Sequence, residues 1–313
     1  MTSRTKYVVA CLSGHGVGPE VMGQASRALA RVSHLHGFRV EETHPPFGAG
    51  AFTQSGHALP VETRRATLAA QAILVAAGNE PALAGVESEL DLEARLDRVG
   101  FGARGTITLF SPLGEAEPEW TLARAFEFAL TSLAHATSVG GDDVWNNAVA
   151  REASRHPGVL VERFPMKNAV SALAFDPGRF DVVVTPAPFA EPLVGLVAHG
   201  ASPRVVASGR LARRGPGVFV PVHGAAEDIA GQGVANPASM LLAAALMLGE
   251  GLGERSAAET LAGAVLEACS NGTRTPDMVS TGMGATTREF ADVVISELPS
   301  SVRNAEFYRE AVA

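Results

Sequence analysis

The sequence predicts an α/β protein in which a parallel sheet is covered by helices. Two observations carry that expectation: short, fully apolar runs recur along the chain, and several of them end in a glycine turn that leads into a helical pattern. Tyr7-Val8-Val9-Ala10-Cys11-Leu12 is the first such strand, followed by Ser13-Gly14-His15-Gly16-Val17-Gly18-Pro19-Glu20. After Pro19 the apolar residues fall at helical spacing through Val32, so proline opens a helix just past the turn. Phe38 to Glu41 is a short strand, Thr63 to Gln71 is helical, and Ala72 to Ala77 is a second buried strand ending at Gly78-Asn79. Trp120 to Ala134 is an amphipathic helix, and Val159 to Glu162 a strand. Phe180-Asp181-Val182-Val183-Val184-Thr185 is the clearest buried strand, and Val218 to His223 is another. A glycine loop then leads to a long apolar helix from Pro237 to Leu248.

With 313 residues, nearly half of them apolar, the chain is long enough to bury a large core. Its 33 glycines and 19 prolines are spread along the sequence and act as turn punctuation. The net charge of −8 and the lack of any Lys/Arg run argue against nucleic acid as a partner. No apolar stretch is long enough to span a membrane, the longest being Met240 to Leu248, and the N-terminal run is too short for a signal peptide core. Cys11 and Cys269 are expected to be buried thiols rather than a disulfide or a metal site, which fits a cytoplasmic protein. No flexible linker separates two halves.

The segment from His223 to Pro237, His-Gly-Ala-Ala-Glu-Asp-Ile-Ala-Gly-Gln-Gly-Val-Ala-Asn-Pro, is the most informative. Its glycines permit close approach of backbone to a flat ligand, and Asn236-Pro237 can cap the helix that follows. Asp228 could accept hydrogen bonds from a ribose diol and would repel a 2′-phosphate. Asn236 could read an adenine edge or serve only as a cap. Gly14, Gly16 and Gly18 resemble a Rossmann fingerprint, but their spacing is wrong, and a tight turn with close helix packing is the preferred reading.

The run from His223 to Pro237 closely resembles the adenosine-binding loop of the isocitrate/isopropylmalate dehydrogenase family, the β-decarboxylating dehydrogenases. Other segments agree in order: Leu12 to Val21, with His15 where an acidic residue is usual; Arg179 to Thr185; and Thr275-Pro276-Asp277 followed by Gly282 and Thr286. The resemblance implies a two-lobed α/β/α sandwich. A large lobe of residues 1–100 and 203–313 would carry the adenosine loop. A small lobe of 101–202 would carry a homodimer interface and a degenerate metal site, with the substrate cleft between lobes. It also implies NAD held by His223, Gly224, Ala225, Ala226, Asp228, Ile229 and Asn236, and a small anionic substrate held by Arg95 and Arg104. Arg98 competes in that local match, and all three arginines could instead lie on a surface helix.

The residues that carry the family's chemistry are mostly replaced. Glu191 and Gly195 stand at the first two metal-aspartate positions and Lys167 at the third, which does not make a hard-cation site, so a divalent metal is not expected. Gly141 takes the catalytic lysine's place; Asp142 and Asp143 beside it could supply a ligand or base, or be solvated loop residues. Between Arg104 and Trp120 only a short loop is expected where the family has a strand and a clasping arm. Two functions follow. A divergent NAD-dependent enzyme would use Lys167 with Glu191 in place of the metal. A catalytically silent subunit would bind cofactor or regulate a paralogous chain.

Overall fold

The computed structural model describes residues 5–77, 81–101, 105–132, 135–201, 205–279 and 284–299. In chain order, β1 (Lys6–Leu12) leads to α1 (Gly18–His36), β2 (Arg39–Thr43), α2 (Gly48–Ser55), α3 (Val61–Ala69), β3 (Ala72–Val75) and α4 (Ala82–Glu87). Then come β4 (Leu92–Gly100), β5 (Thr106–Pro112), α5 (Pro118–Thr131), β6 (Ala136–Val139), α6 (Asp143–Arg155), β7 (Val161–Phe164) and α7 (Met166–Phe175). The chain continues through β8 (Val182–Val184), α8 (Ala187–Gly200), β9 (Val205–Ala212), β10 (Gly217–Pro221), α9 (Ala238–Leu246), α10 (Arg255–Ser270) and α11 (Thr287–Glu297).

The chain divides into two compact units, residues 1–91 with 214–313, and residues 92–213. The boundaries lie about ten residues outside those set from sequence, because β4 and β9 pair with each other along their length and so belong to one body. In the first unit β2, β1, β3 and β10 run parallel in that order, as the buried apolar runs suggest. Helix α1 starts at Gly18-Pro19 and buries Val21, Met22, Ala25, Ala28, Leu29 and Val32 along one stripe. It stops at Gly37, whose left-handed backbone (φ 80°) turns its N–H back onto the last carbonyls. Helix α9 is buried all round and continues into a π-type turn at Met247–Gly251.

The second unit corrects two expectations. Its strand order is β9-β4-β5-β8-β6-β7, and β4 is antiparallel to both neighbours, so the sheet is mixed rather than parallel. The reason is the connection: β4 and β5 follow each other with only a few residues between, too short for the crossover that parallel strands need. The segment after Arg104, read as a loop, holds the central strand β5. Ile107 and Leu109 point into a core shared with Leu173, Val183, Leu193 and Val197, which places α7 and α8 on one face of the sheet. Phe110, of opposite parity, meets Phe128 of α5 on the other face at 5.6 Å between ring centres. Cys11 and Cys269 are both buried free thiols, as expected. Among the described residues no helix is long and apolar enough to cross a membrane.

If β5 is a core strand, Phe110→Ala should lower unfolding stability by about 3–5 kcal/mol. Urea titration measures this. A loss within about 0.5 kcal/mol, as at a surface loop, would contradict the assignment.

Candidate functional site

In the first unit, the loop after β1 docks against the loop after β10. The Val17 N–H donates to the Ala225 carbonyl at 2.8 Å. Gly16 has φ +62°, and a Cβ there would lie 2.0 Å from that same carbonyl oxygen. A Cβ on Gly18 would lie 1.9 Å from the Ser13 carbonyl oxygen. These early glycines thus make a tight turn and a close approach, as their spacing suggests. His15 Nε2 lies 2.9 Å from Glu227 Oε1, and the Glu20 carboxylate accepts the Gly231 N–H. His15 is thus faced by an acid from the opposing loop.

The residues expected to hold a cofactor sit together here. His223 follows β10, with Nδ1 2.9 Å from the Gly224 carbonyl oxygen, so Nδ1 carries the proton and Nε2 is the acceptor. Nε2 is buried and has no hydrogen-bond partner among the described residues. Burial holds the imidazole below its ordinary pKa, against the opposing pull of the Gly224 carbonyl and Asp277. Ala225 is buried; Ala226 adopts a left-handed backbone (φ 43°), unusual for a residue with a Cβ, and opens a 3₁₀ turn over Glu227–Ile229. Asp228 is exposed on that turn, next to Ile229. Asn236 Oδ1 accepts the Ala238 N–H at 2.9 Å at the start of α9, while its Nδ2 donates to Asp277 at 3.0 Å. Thr275 Oγ1 holds the other Asp277 oxygen. Beside this loop an open cleft of about 770 Å³ runs between His15, Ala226 and Asp228 on one side and Ala49 and Phe52 on the other. That volume suits a ligand of cofactor size. Sequence reading missed Glu20, Glu227 and Asp277; the last was signalled by its place in Thr275-Pro276-Asp277.

In the second unit the expected substrate residues are arranged differently. Arg95, on β4 rather than a helix, grips Asp97 through Nε (2.7 Å) and Nη2 (3.2 Å), and Nη1 reaches Glu191 at 2.7 Å. Burial opposes its charge, but the two carboxylates outweigh that and raise its pKa. Asp97 is 1 % exposed and depends on this contact, whereas the Glu191 side chain is 78 % exposed. Asp97 was legible, because residues two apart on a strand share a face. Lys167 is exposed on α7, near Asp176 and Arg179, and is not paired with Glu191 as the substitute for a metal would require. Arg104 lies outside the described residues. Arg98 is on β4 and reaches Thr106.

The metal positions do not fit a divalent ion: Glu191 is engaged by Arg95, and Gly195 one turn along α8 offers no ligand. Asp142 caps α6, accepting the Trp145 N–H at 2.9 Å through Oδ1, and Asp143 lies in that helix's first turn. At Gly141 (φ +93°), the position that the sequence match gave to the lysine, a Cβ would lie 2.2 Å from the Trp145 ring. Its Nε1–H donates to Ser138. Around these glycines, at the carboxyl ends of β5 to β8, lies a cavity of about 1130 Å³ lined by Trp145, Arg163, Phe164 and Phe189.

Residues 8–98 and 117–294 match the model of the isocitrate/isopropylmalate dehydrogenase family. A 3-isopropylmalate dehydrogenase of Synechococcus sp. is 32 % identical, over 88 % of this chain and 95 % of that protein. One from Pseudoalteromonas translucida is 30 % identical over 95 % and 100 %. Among solved structures, a β-decarboxylating dehydrogenase from Thermococcus kodakarensis superposes with a TM-score of 0.79 at 26 % identity, covering 93 % of this chain and 96 % of that one. The isocitrate dehydrogenase of Methylococcus capsulatus shares the fold, with a TM-score of 0.72 at 20 % identity over 93 % and 99 %.

Two outcomes follow from the geometry. Arg95→Ala should cost about 3–5 kcal/mol of stability, because it strands the buried Asp97 carboxylate; an arginine serving substrate alone would leave the unfolding midpoint unchanged. The depressed His223 pKa means the unfolded chain takes up a proton first as pH falls. Its contribution to stability is therefore complete above the ordinary value of 6.5 and is lost as pH falls from there through the folded value. His223→Gln should flatten that part of the stability curve, and an unchanged slope would contradict the burial of Nε2.

Proposed function

Because the chain belongs to the isocitrate/isopropylmalate dehydrogenase family, we propose that it is a divergent NAD-dependent oxidoreductase acting on a small anionic 2-hydroxy acid without a divalent metal. The observation that carries this reading is the His223–Asn236 loop, where the buried His223 Nε2 has no hydrogen-bond partner among the described residues and Ala226 and Asp228 line an open cleft. Buried polar atoms are rarely left unpaired, so a ligand donor is the natural complement. Nε2 would accept from the amino edge of adenine, and Asp228 from the ribose hydroxyls, its charge opposing a 2′-phosphate. NAD, when bound, supplies the hydride acceptor.

On the substrate side, Asp97 fixes the Nε–Nη2 edge of Arg95 and so orients the guanidinium. The exposed Glu191 is a displaceable occupant of Nη1, and a substrate carboxylate would take its place. A homodimer is part of this reading. Val144, Val170 and Phe175 on α6 and α7 are large exposed apolar residues, Phe175 at 90 %, and would be covered by a second copy. Lys167 on α7 would then reach the partner's site rather than its own.

The engagement of Arg95 by Asp97 and Glu191, and the Trp145 ring packed at Gly141, favour a second reading, a cofactor-binding subunit without turnover. Calorimetric titration with NADH and NADPH, with and without Mg²⁺, tests the first part. NADH should bind regardless of Mg²⁺, more tightly than NADPH, and Asp228→Ala should weaken NADH by about tenfold, or 1.4 kcal/mol. Failure of both dinucleotides to bind would overturn the reading. Binding without NAD reduction across a panel of 2-hydroxy acids, together with co-purification of an intact paralogue, would establish the second.

A further inference from the structure

At the outer edge of the first unit's sheet, β1 and β2 pair in parallel with Val9 opposite Glu42 and Ala10 opposite Thr43. Continuing that register sets Cys11 beside His44. Because side chains alternate, Cys11, Glu42 and His44 share one face of the sheet. Their ligand atoms, Sγ, a carboxylate oxygen and an imidazole nitrogen, all lie within 4.8 Å of one another. Glu42 Oε2 is 3.1 Å from His44 Nε2 and also accepts the hydroxyl of Ser26, on α1. Exposure is graded across the group: Cys11 is 1 % exposed, the Glu42 side chain 16 % and that of His44 50 %. The group is anchored in the core at its sulfur and open to solvent at its imidazole.

We propose that Cys11, Glu42 and His44 form a binding site for a borderline-soft divalent cation, with zinc the best match. Thiolate, imidazole and a single carboxylate suit zinc, whereas Mg²⁺ and Ca²⁺ demand mostly oxygen ligands. Tetrahedral zinc with ligands at ~2.0–2.3 Å needs donor separations of roughly 3.3–3.6 Å, so the group has only to contract by about an ångström. The half-exposed His44, just past the end of β2, is free to make that movement. Water or Ser26 Oγ completes the fourth position. The bound ion would cross-link the edge strand β2 to β1, which is a structural role independent of any turnover. The dinucleotide reading uses none of these three side chains.

Cobalt(II) added to untagged protein tests the proposal, with zinc as competitor. The expected result is one tight equivalent with a thiolate-to-cobalt charge-transfer band that zinc abolishes. Cys11→Ser should remove the band, and Cys269→Ser should leave it. His44→Ala, altered at a half-exposed position that the fold tolerates, should weaken zinc binding by at least about tenfold. Zinc should also raise the Tm of the wild type but not of His44→Ala. A missing band, one that survives Cys11→Ser, or zinc affinity unchanged in His44→Ala would overturn the proposal.

Discussion

The carbonyl oxygen of Ala225 occupies the space that a side chain at residue 16 would need, and much of the first unit is arranged around that contact. It lets the β1 loop and the His223–Asn236 loop lie backbone to backbone, with the Val17 N–H closing the gap. The flanking charges follow from it, His15 against Glu227 and Glu20 against the Gly231 amide. The far end of the loop is tied by Asn236 to Asp277, and by the Thr287 hydroxyl to the Ala235 carbonyl at 2.7 Å. A loop held at both ends presents its ligand groups already in place, which lowers the ordering cost of binding.

The second unit departs from its family in a coherent way. Where a lysine would project, two left-handed glycines and the Trp145 indole form packed structure, so the loss is built into the local fold. Glu191, which the sequence match set at a metal position, contacts Arg95 at 2.7 Å. Arg95 is itself needed to compensate Asp97, and a buried carboxylate without its partner is costly. In the second unit Asp97 and Glu191 are thus both organised around one guanidinium.

How much of this was legible depends on what each segment's neighbours contribute. The first unit's strands read clearly because a parallel sheet covered on both faces demands continuous apolar runs, as in Tyr7–Leu12 and Ala72–Ala77. β4 did not: Leu-Glu-Ala-Arg-Leu-Asp-Arg-Val-Gly carries three arginine or aspartate side chains in mid-strand, tolerable only because Arg95 and Asp97 satisfy each other. Missing β4 as a strand hid the hairpin, and with it β5. The His223–Asn236 loop could be picked out because its residues are local in sequence. Arg95 with Glu191, and Cys11 with Glu42 and His44, were not, since each group is assembled by strand register or by elements nearly a hundred residues apart.

Amide hydrogen exchange with and without saturating NADH, read segment by segment, bears most directly on the claim that the cofactor loop is functional while the metal side is rebuilt. The account predicts added protection across residues 224–236 and in the Ser13–Val17 turn, unchanged by Mg²⁺. Equal exchange in these segments with and without NADH, or protection that appears only when Mg²⁺ is added, would contradict it.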